Sequence, residues 1–174
     1  METHASALQI RAVSTADAAA IAAIYNHYVL NTTISFEEQA VTESQMAGRI
    51  SACLEAGFPW LVAETEDGIA GYAYATKWRE RPAYRHSVET SVYLDPAKTG
   101  RGAGRQLYTA LLRQLRDSGR RTVIAGIAQP NPASVGLHEA LGFVPAAMFK
   151  EVGFKQNQWL DVGYWQLPLH AFQA

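Results

Sequence analysis

One segment constrains this chain more than any other: Val92-Tyr93-Leu94-Asp95-Pro96-Ala97-Lys98-Thr99-Gly100-Arg101-Gly102-Ala103-Gly104-Arg105. Its apolar start alternates like a strand, Asp95-Pro96 breaks that strand, and a glycine-rich turn leads into a helix that carries Leu107, Tyr108, Leu111, Leu112 and Leu115. A strand, turn and helix start joined this way turn backbone N–H groups and the positive end of the helix dipole toward one point, which suits a phosphate. Glycines serve there because nothing projects into the ligand. Two familiar phosphate folds are excluded. A Rossmann fingerprint needs a third glycine where Arg105 stands, and a Walker loop needs Gly-Lys followed by Ser or Thr. By itself the turn is equally compatible with a plain connection.

The flanking segments narrow the architecture. Leu8 to Val13 alternates as a strand, and Ser14 or Thr15 caps a helix carrying Ala18, Ile21, Ala22, Ile24, Tyr25 and Tyr28. Asn31 to Phe36 is rich in β-branched residues and reads as extended, and a second helix runs from the cap Thr42 to about Ala56. Trp60 to Thr65 and Ile69 to Trp78 form a hairpin about Glu66-Asp67-Gly68. In its second strand Tyr72, Tyr74, Thr76 and Trp78 share a face that can line a pocket, while Gly71, Ala73 and Ala75 leave the other face open to a close helix. Ser87 to Leu94 and Thr122 to Ala128 are further strands, and Pro130-Asn131-Pro132 opens a helix that ends at Leu141-Gly142-Phe143. Ala146 to Val152 and Trp159 to Leu167 read as a closing antiparallel pair about the polar stretch 153–158. Hairpins mixed with helices exclude a purely doubly wound parallel sheet and predict an α+β fold.

With 174 residues, 48% hydrophobic and 18% charged, the chain fits one folded domain, with residues 1–7 as a flexible leader. The formal net charge of −1 gives no support to nucleic-acid binding through a globally basic surface. The distribution is uneven: eleven bases face four acids between Lys77 and Arg121, leaving four bases and twelve acids elsewhere. A basic middle in a neutral chain fits a compact anionic ligand, or a solvated face of scattered arginines. The single cysteine, Cys53, excludes an intrachain disulfide and a cysteine-based zinc cluster, and the histidines show no metal spacing. No apolar run is long enough for a membrane span and no export signal is visible, so the cytoplasm is expected, without membrane association.

The turn Thr99-Gly100-Arg101-Gly102-Ala103-Gly104 resembles the pyrophosphate-binding Gln/Arg-x-x-Gly-x-Gly/Ala motif of GCN5-related N-acetyltransferases. The stretch from Asn131-Pro132-Ala133-Ser134 through Leu141-Gly142-Phe143 is similar to that superfamily's second acetyl-CoA motif. Tyr25-Asn26-His27-Tyr28, Phe58 to Glu64, Trp78 to Tyr84, Ser91-Val92-Tyr93, His138 to Gly142, Gly153-Phe154-Lys155 and Trp159 to Gly163 resemble its phosphinothricin N-acetyltransferase branch. One position departs: Thr99 stands where Gln or Arg is usual. The resemblance implies a mixed, mostly antiparallel central sheet flanked by helices. It also implies that acetyl-CoA, with no metal, lies between two splaying strands, Ser87 to Leu94 and Thr122 to Ala128. A small-molecule amine would be acetylated by direct attack on the thioester, in a homodimer.

Site residues follow partly from pattern and partly from the resemblance. Alternation puts Glu89, Ser91 and Tyr93 on one face of an apolar strand, where a carboxylate is costly unless partnered or functional. The resemblance makes Glu89 the general base. Asn131, Ser134 and His138 share a helix face, and the resemblance sets His138 beside the CoA thiolate, as acid, base or structural group. It places Val92, Tyr93 and Leu94 at the pantetheine arm, Gly100, Arg101, Gly102, Ala103, Gly104 and Arg105 at the pyrophosphate, and Asn131 and Ser134 also at the cofactor. Around the amine it places Arg79, Arg81 and Tyr84 at acidic groups, with Phe36, Tyr74 and Val162 as walls. The expected substrate is an amino-acid analogue such as phosphinothricin, methionine sulfoximine or methionine sulfone. Protein N-termini, other amines or a non-catalytic acyl-CoA sensor are the alternatives.

Overall fold

The computed structural model describes residues 8–99 and 102–173. Expectations for the leader 1–7 and for Gly100 and Arg101 fall outside these residues. A seven-stranded sheet forms the centre, in the order β1-β2-β3-β4-β5-β7-β6. Its strands are β1 (Gln9–Ala12), β2 (Trp60–Thr65), β3 (Gly68–Lys77), β4 (Ser87–Leu94), β5 (Thr122–Ala128), β6 (Val144–Lys155) and β7 (Gln158–Pro168). Four helices flank it: α1 (Ala18–Asn31), α2 (Glu43–Glu55), α3 (Ala103–Asp117) and α4 (Pro132–Ala140).

Every strand pair is antiparallel except β4 with β5. That parallel pair is short, matching Ser87, Val88 and Glu89 with Thr122, Val123 and Ile124. Beyond Glu89, β4 stays paired to β3 up to Leu94, and β5 stays paired to β7 up to Ala128. The two strands therefore part after three residues, and each leaves one ladder edge open. This is the splay that the family resemblance implies.

The two faces of β3 sort as their side chains demand. Ala73 and Ala75 lie in the core with Leu107, Leu111 and Leu112 of α3, since small residues let a helix approach closely. Tyr72 lies opposite, with Trp60 and the buried faces of α1 and α2. Trp60 stacks on Tyr74 at 4.3 Å between ring centroids, so Tyr74 spends one ring face on packing. Cys53 belongs to the same core, and burial pushes its thiol up to about 11, which leaves it a poor nucleophile.

Two segments differ from expectation. Asn31 closes α1, and residues 32–36 are irregular, with bends at 33–35, rather than a strand. Here hydroxyls supply the backbone's bonds locally: Thr32 Oγ1 donates to the Tyr28 carbonyl and accepts from Ile34 N–H. The closing hairpin is longer than its composition implies. Lys155 and Gln158 pair across a two-residue turn in which Gln156 and Asn157 take positive φ of 50° and 58°, so polar residues belong to strand ends and turn.

Candidate active site

A groove of about 220 Å³ opens where β4 and β5 part. It is lined by residues 90–94 of β4 and 125–128 of β5, with Tyr28 and Ile34 on one side and Asn131, Ser134, Leu137 and His138 of α4 on another. The splay makes this space, because strands with a continuous ladder would fill it with their own hydrogen bonds. A larger cavity of about 520 Å³ lies between α3, the end of α4 and the C-terminal segment. The smaller groove is the better site, since both open strand edges and the buried titratable groups converge on it.

Glu89 occupies the last rung before the strands part, opposite Thr76 on β3 and Ile124 on β5. Among the described residues its carboxylate makes no hydrogen bond or ion pair. Burial raises its pKa above the ordinary carboxylate range, and the positive charge of Arg79 partly opposes that rise. Arg79 is steadied by its own neighbour, with the guanidinium 4.6 Å from the ring of Trp78.

Two residues missed by the sequence reading complete this corner. A Cβ on Gly126 would fall 3.4 Å from Glu89 Oε1 and 3.0 Å from the ring of Tyr164. Gly126 thus leaves open the space beside the carboxylate, and a lone glycine within a strand was the available signal. Tyr164 pairs with Gly126 across the ladder and meets Trp78 and Phe149 edge to face.

On the α4 side, His138 is 3% exposed. Its Nδ1 lies 2.7 Å from the Ser134 carbonyl, which can only accept, so this nitrogen carries the proton. Nε2 is then an acceptor for the Tyr108 hydroxyl at 3.1 Å, and Tyr108 in turn accepts from Thr90 at 2.6 Å. Burial lowers the His138 pKa and keeps the ring neutral. Thr90 and Tyr108 belong to β4 and α3, too far apart in sequence from His138 for spacing to reveal the chain.

The remaining predicted residues fall into three groups. Val92, Tyr93 and Leu94 line the groove, and Tyr28 donates its hydroxyl proton to the Leu94 carbonyl at 2.5 Å. Asn131 and Ser134 line it too, with Asn131 Oδ1 accepting from Ser134 N–H to cap α4. Thr99 also lines it, but its hydroxyl turns back to the Pro96 carbonyl. At the head of α3, Gly102 takes a left-handed φ of 75°, and a side chain on Gly104 would press within 3.0 Å of Leu94. Among the described residues the first helical bond at that turn runs from Gln106 N–H to the Gly102 carbonyl, so the amides at the start of α3 lie where a helix N-terminus favours an anion. Arg105 is exposed and borders the larger cavity instead of the groove. Arg81 and Tyr84 sit on the exposed turn before β4. Phe36 packs against Gly153, and Val162 faces Ala128 and Phe149 in its ladders.

The described residues fit the thioester carrier that the fold implies: open strand edges for an amide-bearing arm, a helix start for phosphate, and a carboxylate without a partner among them. Among the described residues no cluster of His, Cys, Asp and Glu could hold a metal ion, and no helix is long and apolar enough to cross a membrane.

An open-edged groove between two splayed strands, with a carboxylate at the rung where they part that has no partner among the described residues, defines an acyl-CoA-dependent acyltransferase site. The model of the acetyltransferase (GNAT) domain matches residues 10–163, and the chain belongs to that family. It is 43% identical to a phosphinothricin N-acetyltransferase of Alcaligenes faecalis, over 98% of this chain and 87% of the relative. It is 39% identical to an L-methionine sulfoximine/L-methionine sulfone acetyltransferase of Salmonella typhimurium, over 96% and 98%. The solved structure of yncA from Salmonella typhimurium, with its cofactor acetyl-CoA, superposes with a TM-score of 0.91 at 39% identity, covering 97% of each chain.

Proposed function

We propose that this chain acetylates the free α-amino group of a small amino-acid analogue of the phosphinothricin, methionine sulfoximine or methionine sulfone type. The acetyl donor is acetyl-CoA, which supplies the acetyl group already activated as a thioester. The observation that carries the reading is the half-buried carboxylate of Glu89, without a partner among the described residues, where β4 and β5 separate.

Each part follows from the groups present. Glu89, its pKa raised by burial, takes a proton from the substrate ammonium, directly or through water, so that the amine can attack the thioester. Backbone N–H groups on the open edge of Val92 to Leu94 are donors for the pantetheine arm and the acetyl oxygen. The amides of Gly102 to Arg105 hold the pyrophosphate, with Gly100 and Arg101 preceding them in sequence. Arg79 and Arg81 bind the acidic groups of the amine beside Tyr84, as a planar guanidinium can grip a carboxylate or phosphinate twice. Phe36, Tyr74 and Val162 supply its walls.

His138 stands at the thiol end of the groove. As a neutral ring with Nδ1–H committed, it cannot itself give up a proton toward the groove. It orients Tyr108 and, through it, the Thr90 hydroxyl at the groove wall; the leaving thiolate takes its proton from the attacking nitrogen as the tetrahedral adduct collapses, directly or through water. We also read the exposed apolar residues of β6 and β7 as the face on which two copies pair, and the cytoplasm as the working compartment.

The test is release of CoA thiol from acetyl-CoA across amino-acid analogues, polyamines and peptides. Turnover confined to the acidic analogues supports the reading. Turnover confined to peptides or polyamines replaces the substrate class, and tight acetyl-CoA binding without any turnover leaves only a sensor.

A further inference from the structure

Lys155 is the most deeply buried cation in the described structure, at 4% exposure, and the chemistry above does not use it. Its ammonium group donates to the carbonyls of Val29 (2.7 Å) and Ser35 (2.6 Å). Glu38 acts on it through space without forming an ion pair, so two peptide carbonyls carry most of the burden of holding a buried charge. Such an arrangement is costly unless it fixes something. What it fixes is the segment after α1: Val29 lies in the last turns of that helix, and Ser35 lies in the bends that replace the expected strand.

That segment borders the site. Ile34 lines the groove, and Ser35 Oγ meets the hydroxyl of Tyr25, whose ring packs edge to face on Tyr93 in the groove wall. Phe36 lies so close to Gly153 that an added Cβ would overlap its ring at Cε2. Gly153 and Lys155 are alternate residues at the end of β6, so one strand end grips the segment by its backbone and by its aromatic ring.

We propose that Lys155 is a positioning residue for the amine substrate, holding Ile34 to Phe36 in register over the groove while Gly153 leaves room for the Phe36 ring. This deepens the functional reading and rests on its placing of Phe36 at the amine. The segment has no ladder of its own, so Lys155 replaces the strand pairing that would otherwise set its position.

Steady-state kinetics with acetyl-CoA and methionine sulfone decide it, using Lys155→Met, Gly153→Ala and Phe36→Ala. We expect Lys155→Met and Gly153→Ala to raise KM for the amine by roughly ten- to a hundredfold, the scale of small misplacements, with KM for acetyl-CoA nearly unchanged. Equal changes in both KM values, or none, overturn the proposal. If Phe36→Ala raises the amine KM while the other two variants do not, the positioning role fails and the pocket assignment stands. If Phe36→Ala leaves it unchanged, the pocket assignment fails and takes the proposal with it. Should Lys155→Met not fold, Lys155→Gln, whose shorter amide reaches the Val29 and Ser35 carbonyls less well, decides the matter by the same amine-KM criterion.

Discussion

Among the described residues Glu89 has no hydrogen-bond or ion-pair partner, and its proton affinity is set by burial on one side and Arg79 on the other. Replacing Glu89 by Gln keeps the shape and removes the base; turnover should fall roughly 10²-fold or more while acetyl-CoA affinity, measured by calorimetry, is kept. Unchanged turnover would remove Glu89 from the mechanism. The acid limb of kcat/KM should lie above the ordinary glutamate range, because the working form is the carboxylate and burial disfavours it. Arg79→Gln removes the charge that favours ionisation, so that limb should move to higher pH; a shift the other way contradicts the arrangement. Tyr108→Phe tests the hydroxyl chain. It leaves His138 Nε2 without a donor in a buried place, at a cost of about 1–3 kcal/mol in stability, and should slow turnover less than Glu89→Gln does. A loss of stability with turnover intact would make the chain purely structural. Glu89 was legible because strand period alone puts a carboxylate among apolar neighbours. The hydroxyl chain was not, because Thr90, Tyr108 and His138 meet only after three elements pack.

At the scale of elements, the fold's stability and its chemistry can be separated. Thr42 caps α2 by accepting from Gln45 N–H, while Gln45 returns a bond to Thr42 N–H, far from the groove residues. Thr42→Ala should lower the denaturant midpoint by an amount equal to about 1 kcal/mol and leave kcat/KM unchanged. A matching loss of activity would show that α2 communicates with the site. Most helices and strands could be read from periodicity, since α3 shows five apolar residues at helical spacing and β3 alternates aromatic with small. Residues 31–36 misled because β-branched composition favours a strand only where a neighbour offers a ladder. Here Thr32, Ser35 and Lys155 supply those bonds instead. The ends of β6 and β7 were hidden because Gln156 and Asn157 make a tight turn among polar residues that resemble a longer loop.

For the whole molecule, the sheet has two outer strands of different character. β1 is four residues long, whereas β6 runs for twelve and is mostly exposed. Along β6 and the start of β7, Val144, Met148, Val152, Phe154 and Trp159 are each about half exposed or more. Phe154 and Trp159 meet across the hairpin as a tilted pair with ring centroids 4.9 Å apart, so their apolar surface is presented as one block. A long apolar edge of this kind invites uncontrolled pairing unless something covers it. A second copy related by a twofold axis would do so with the same patch on both sides, forming a closed pair that leaves neither patch over. The bulge in β6 between Phe149 and Gly153, with Glu151 at a positive φ of 51°, bends the edge away from endless strand addition. Sedimentation should therefore find the protein as a dimer, and Val152→Glu with Trp159→Glu should convert it to a monomer with unchanged circular dichroism. These charges meet their own copies across the axis, where like charges repel. A monomeric parent protein, or a dimer indifferent to both substitutions, would move the interface elsewhere and leave the β6 strip as exposed surface.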